Sequence, residues 1–223
     1  MERGRAEVVA VGDAALLVRL GEGIDPATNR RVHALAERVS AAAATDAGAG
    51  LGTPVPAYAS LLVPFDGLRL SEGDARARLE PLLKGVAVAD FAADEPPLEI
   101  AVRYGGADGP DLDEVAERTG LSAGQVVELH CSVEYRAYML GFAPGFAYLG
   151  ELPAVLELPR RDSPRQRVAA GSVAIAGRQT AVYPLPTPGG WQLIGRTEAP
   201  LWDPRRSPPA LITPGRRVRF VPA

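Results

Sequence analysis

One cysteine, one lysine and two histidines make up this chain's small stock of the side chains that most often act as nucleophiles, phosphate grips and metal ligands. Cys131, being alone, excludes an internal disulfide. With His130 as its only neighbouring donor it falls short of the roughly four ligands that a zinc ion takes, so no metal site is expected. Lys84 stands far from any glycine-rich loop, and no Gly-x4-Gly-Lys-Ser/Thr run occurs, so the chain has no Walker-type phosphate cradle. No segment approaches the ~20 uninterrupted apolar residues of a membrane-spanning helix. The opening MERGRAEVVAVGD has no apolar run of the signal-peptide kind, and the cytoplasm is the expected compartment. With 24 Lys+Arg against 27 Asp+Glu the net charge is -3, and no global field draws nucleic acid or an anionic membrane. The stretch DLDEVAERTGLSAGQVVELH has a helix-turn-helix outline, but residues 122–130 carry no Lys or Arg to meet phosphates or base edges, and DNA reading is set aside.

What is present suits a globular protein, for 47% hydrophobic residues are enough to bury a core. Valines 8, 9 and 11 and residues 16–20 flank Gly12-Asp13, predicting a β-hairpin. Asp25-Pro26 places a cap before a first-turn proline, and apolar residues at 32, 35, 36 and 39 predict a helix over 26–44. Pro54 and Pro56 interrupt the chain before a short strand over 59–65. Ser71 with Asp74 resembles a capping box for a second helix. Residues 1–92 thus read as a small amino-terminal α/β sandwich, its helices on one face of an antiparallel sheet, and the acidic, proline-containing 89–97 as a linker. Over 93–223 a strand at 98–104 and two short helices precede β-rich runs near 173–175, 181–183, 192–194 and 217–221. Proline and glycine turns punctuate these runs, predicting a closed or nearly closed β-barrel and an α+β chain overall.

Candidate site residues lie in the second half. His130 reads either as a hydrogen-bonded histidine at a helix end or as a general acid or base. In GFAPGFAYL the rings of Phe142 and Phe146 either wall a pocket or fill a core, with Pro144 between them. The proline-stiffened loop LPRRDSPRQR concentrates Arg160, Arg161, Arg165 and Arg167, able to grip a carboxylate or phosphate or simply to face solvent. Gly171-Ser172 and Arg178-Gln179-Thr180 place neutral donors beside strands. Pro188 to Trp191 reads as a tight turn presenting an indole, and Arg196 follows a short strand.

Taken together, HCSVEY, GFAPGFAYLGELP, LPRRDSPR, AGSVAIAGRQTAVYP, TPGGWQLIGRT and ITPGRRVRF resemble the family variously called allophanate hydrolase subunit 1, KipI and the 5-oxoprolinase B subunit. The resemblance runs from end to end and implies a cyclophilin-like carboxy-terminal barrel, though a barrel of one shape hosts many functions. It implies a protein that works with a sister C subunit of related fold and a separate A subunit, the assembly using ATP to open 5-oxo-L-proline to L-glutamate. In that picture Arg160, Arg165 and Gln179 hold a substrate carboxylate or phosphoryl oxygen and His130 carries a proton, all lining one cleft. Phe142, Pro144, Phe146, Ser172, Trp191 and Arg196 complete the expected binding surface. A KipI-like inhibitor of a sensor histidine kinase would share every motif. A urea- or allophanate-processing role by the Ser-Ser-Lys amidase route has no support, because Lys84 lies outside any serine-rich motif. Alanines at 169, 174, 176 and 181 depart from the family pattern, and crowding of a pocket by Ala174 or Ala181 is the way they could matter.

Overall fold

The computed structural model describes residues 6–86 and 95–223. The chain divides into two compact units, residues 1–93 and 94–223, and the part of the expected linker up to residue 94 lies outside the described residues.

In the first unit β1 (Glu7–Ala10) and β2 (Ala15–Arg19) form the expected hairpin, Val8 opposite Val18. Helix α1 (Pro26–Ala43) begins where the Asp25 carboxylate accepts the Thr28 N–H at 2.6 Å, satisfying one of the donors a helix start leaves open. Strands β3 (Val55–Pro56) and β4 (Ser60–Pro64) complete an antiparallel sheet in the order β1-β2-β4-β3. Helix α2 (Glu72–Leu83) opens with the reciprocal Ser71–Asp74 capping box. Strand alternation turns Leu16, Val18, Leu61 and Val63 to one face, where they meet Val32 and Leu35 of α1 and Leu79 of α2 in a single core. One expectation is corrected. Pro56 does not merely interrupt the chain but sits in β3, an edge strand, where a missing N–H breaks no ladder bond.

The second unit runs β5 (Leu98–Tyr104), α3 (Leu112–Thr119), α4 (Ala123–Cys131), β6 (Tyr135–Leu140), β7 (Ala147–Gly150), β8 (Arg165–Val168), β9 (Ser172–Ala176), β10 (Gln179–Val182), β11 (Thr187–Gly189), β12 (Gln192–Arg196) and β13 (Arg217–Pro222). Seven of these strands close a barrel in the order β10-β7-β6-β13-β5-β12-β9, antiparallel except where β13 runs parallel to β5. Tyr135, Leu149, Val173 and Phe220 are fully buried inside it, and each such side chain contributes roughly 1.5–3 kcal/mol through removal from water. Val115 and Ala116 of α3 and Val126 of α4 join that core, so the helix pair with the helix-turn-helix outline packs on the barrel. Its turn is made by Gly120 at φ 70°, the left-handed residue that ends α3.

Two segments expected as a loop and a tight turn pair instead. Arg165–Val168 forms β8 against β11, which contains Pro188, with a register irregularity between Thr187 and Gly189. A short two-stranded ribbon tolerates a proline because the irregularity replaces the ladder bond that Pro188 cannot donate. Ala174, Ala176 and Ala181 are buried in a small second core with Phe146, Tyr183 and Trp191. Among the described residues no helix is long and apolar enough to cross a membrane.

Candidate functional site: an aromatic slot beside an arginine loop

The GFAPGF motif is the loop joining β6 to β7. Gly141 N–H donates to the Phe146 carbonyl at 3.1 Å and Phe146 N–H to the Ala143 carbonyl at 3.0 Å, which folds six residues into a tight hairpin end. The loop separates its two phenylalanines. Phe146 is buried, while Phe142 is 61% exposed and holds φ at +67°. That left-handed backbone costs a residue with a Cβ roughly 1–2 kcal/mol, and such strain gathers where a side chain must point in one direction.

Phe146 is the hub of an edge-to-face cluster. Its ring centroid lies 5.2 Å from Phe142, 4.9 Å from Tyr148, 5.3 Å from Tyr183 and 5.8 Å from Trp191. These rings wall a slot of about 80 Å³, closed on one side by the Gly189-Gly190 backbone and bordered by Arg160. Glycine is required at 189, where a Cβ would run into the Tyr183 hydroxyl. Burial pushes the Tyr148 and Tyr183 hydroxyls above the ordinary phenol range, and the nearby Arg160 charge draws each part of the way back. Both remain neutral donors at physiological pH.

The arginine loop is fixed by Asp111, a residue whose place in the sequence suggests no more than a helix start. Asp111 is 3% exposed. Its Oδ1 accepts from Arg161 Nη1 at 3.0 Å and Arg165 Nη2 at 2.6 Å, and its Oδ2 from the Leu193 N–H at 2.7 Å. Gln192 Nε2 donates to the Pro159 carbonyl at 3.2 Å, and Arg161 N–H to the Gly190 carbonyl at 2.7 Å. The loop is therefore stitched to β12 and the turn before it on both sides of Arg160. Next to the slot it borders a polar hollow of about 400 Å³, lined by Glu114, Arg118, Arg160, Arg161, Asp162 and Gln192 among others.

His130 is elsewhere. It is fully buried, its ring stacked on Phe220 at 4.6 Å, and it lines neither cavity. The Thr180 hydroxyl donates to the Ala174 carbonyl at 3.1 Å, so it accepts from His130 Nε2–H at 2.9 Å. Nδ1 then accepts from the Tyr104 hydroxyl at 2.7 Å, and that oxygen can accept the Cys131 thiol proton at 3.4 Å. Burial pushes the imidazole pKa down to about 3, so the ring is neutral with both nitrogens satisfied, the hydrogen-bonded alternative of the two that its sequence left open. Burial also raises the Cys131 thiol, which stays protonated at neutral pH.

Of the expected site residues, the structure gathers Phe142, Phe146, Arg160 and Trp191 around the slot. Arg165 is adjacent but engaged by Asp111. Gln179 pairs with Gly150 and Ala176 in the barrel wall, Ser172 is buried at the start of β9, Pro144 is exposed in the hairpin loop, and Arg196 borders a separate hollow with Arg103 and Trp202. The expected single cleft of His130, Arg160, Arg165 and Gln179 is therefore not what the side chains form. Tyr148 and Tyr183 are wall residues to which the sequence assigned no site role, although both lie inside the family-like motifs, GFAPGFAYLGELP and AGSVAIAGRQTAVYP. Among the described residues no group of three His, Cys, Asp or Glu side chains gathers that could hold a metal ion.

Residues 6–212 match the family described as the carboxyltransferase domain, subdomain C and D. The chain is 46% identical over 220 residues to the 5-oxoprolinase B subunit of Escherichia coli O157:H7, covering 98% of this chain and 96% of that one. It is 40% identical over 227 residues to the 5-oxoprolinase B subunit of Bacillus subtilis (strain 168), covering 97% and 92%. Among solved structures it resembles TTHA0988 with 46% identity and a TM-score of 0.81, covering 94% of this chain but spanning only 40% of that longer one. The Kluyveromyces lactis urea carboxylase, 20% identical with a TM-score of 0.79 over 98% of this chain and 22% of that one, shares the fold. By its near-complete match to two proteins of that name, the chain belongs to the family of 5-oxoprolinase B subunits, within the carboxyltransferase-domain proteins.

Proposed function

We propose that this chain is the B subunit of a heteromeric, ATP-dependent 5-oxoprolinase that opens 5-oxo-L-proline to L-glutamate, working in the cytoplasm with a C subunit of related barrel fold and an A subunit. The observation that carries the reading is identity of 40–46% along nearly the full length of two proteins of that name. The geometry supports a binding role. A slot of about 80 Å³ bordered by a guanidinium suits a small anionic ring, whereas the histidine that could have moved a proton is sealed inside the barrel.

A lactam carbonyl is a poor electrophile, which gives ATP its place in the reaction. The exocyclic lactam carbonyl oxygen displaces ADP from the γ-phosphorus as the lactam N–H gives up its proton, water adds to the activated carbon, the C–N bond opens to leave an acyl phosphate, and a second water releases phosphate from it. In this chain Phe142, Phe146, Trp191 and Arg160 are the residues that meet substrate, and the partner proteins complete the chemistry.

The test is glutamate release from 5-oxo-L-proline by the co-expressed components, with and without ATP and with each component omitted in turn. Release that needs ATP and all components, and that falls with Arg160→Gln, supports the reading. A stable complex that turns nothing over overturns it.

A further inference from the structure

We infer that the aromatic slot and the arginine-lined hollow are two halves of one ligand site, the slot taking a small ring carboxylate and the hollow a phosphate group, with Arg160 as the seam between them. The identity of the ring acid rests on the oxoprolinase reading; the division of the site rests on size, charge and anchoring.

Size assigns the halves. A cavity needs roughly 10–15 Å³ to hold one water, so about 80 Å³ between aromatic walls has room for a handful of waters or one small planar ring. The hollow, about 400 Å³, falls within the usual size range of small-molecule pockets and has room for a phosphate group.

Charge agrees. Glu114 lies 3.3 Å from Arg118 and 3.6 Å from Arg161, and Arg161 is held at 3.0 Å by Asp111 as well. Arg160 has no carboxylate partner among the described residues, yet it borders both cavities. A guanidinium presents five N–H donors in a planar fork, enough for a ring carboxylate on one edge and a phosphate oxygen on the other. Glu114 and Asp162 share the hollow with Arg118, Arg160 and Arg161, so its lining keeps one net positive charge, and of the three guanidinium groups only that of Arg160 has no carboxylate holding it among the described residues.

Anchoring completes the case. The bonds from Gln192 to Pro159 and from Arg161 to Gly190 hold the residues on either side of Arg160 before any ligand arrives, so little ordering is left to be done on binding.

The experiment titrates the full chain with 5-oxo-L-proline and, separately, with inorganic phosphate, following Trp191 fluorescence in a Trp202→Phe background. Arg160→Gln should weaken both ligands by about tenfold, the loss of one charge-assisted bonding pair. Phe142→Ala should weaken the ring acid severalfold and leave phosphate unchanged, and Arg118→Gln should do the reverse. Phe142 and Arg160 are exposed, so unchanged melting temperatures are expected and would exclude misfolding as the cause. Phosphate binding that is absent, or indifferent to both arginines, overturns the two-part site, as does ring-acid binding indifferent to Arg160. An active complex in which this chain fails these titrations sinks this inference alone. Ligand binding that behaves as described in a complex without turnover sinks the oxoprolinase reading and leaves the site standing.

Discussion

Replacing Asp111 with alanine should be among the most damaging single changes in the barrel unit, although the residue touches neither cavity in the role of a wall. The substitution removes the acceptor shared by Arg161 and Arg165 and leaves the Leu193 N–H without its partner. Breaking a buried ion pair costs about 3–5 kcal/mol. The two arginine side chains keep 30% and 25% of their exposure, so water can recover part of that loss and the ion-pair share shrinks to about 1–2 kcal/mol. An unsatisfied buried N–H adds about 1–2 kcal/mol. The expected total is about 3 kcal/mol, read as a lower urea midpoint at constant slope and a melting temperature lower by about 10 °C. Asp111→Asn keeps one oxygen acceptor but turns a donor toward either the arginines or Leu193, and should fall between. Because the loop that carries Arg160 loosens with it, ring-acid affinity should fall in both variants while they remain folded. A loss below about 1 kcal/mol in Asp111→Ala, with affinity unchanged, would refute the idea that this carboxylate anchors the arginine loop.

Three further outcomes follow from the geometry. His130 is buried neutral with its pKa pushed down to about 3, so the unfolded chain takes up a proton that the folded chain refuses as pH drops below the ordinary value of 6.5. Its contribution is complete above about 6.5 and is lost progressively toward 3, at about 1.4 kcal/mol per pH unit, so stability from urea midpoints should fall between pH 7 and pH 5 by about 2 kcal/mol, and a flat profile would contradict the placement. Phe142→Gly relieves a left-handed backbone and should hold the melting temperature or raise it by the equivalent of up to about 1 kcal/mol while lowering glutamate release by the complex; equal loss of both would mean the ring is structural. Gly189→Ala drives a methyl into the Tyr183 hydroxyl and should cut ring-acid affinity more than it cuts phosphate affinity, measured on the same titration.

Local rules were legible in the sequence wherever a few neighbouring residues decide the outcome. Asp25-Pro26 and Ser71 with Asp74 marked helix starts that the structure places at the same residues, and the alternation around Gly12-Asp13 marked the first hairpin. Turn-punctuated β runs were enough to anticipate a closed barrel. The ordered motifs were enough to identify the family, because a family pattern records many positions at once. Strands β8 and β11 were hidden because proline and arginine carry no strand signal of their own; only the partner strand supplies it.

The site was decided by tertiary structure. Nothing in the spacing of Asp111, Arg161 and Arg165 says that they meet, since about 50 residues, with two helices and two barrel strands, intervene. The burial of His130 was equally out of reach, for a histidine beside a cysteine at a helix end looks the same whether that end faces solvent or plugs a barrel. Barrel closure chose the second, and with it a neutral imidazole whose two nitrogens answer to Thr180 and Tyr104. Composition and local pattern determined which elements form and which family they belong to. Long-range packing alone determined that Asp111 engages Arg161 and Arg165 while Arg160 borders both cavities, and that charge at Arg160 is where the candidate site is built.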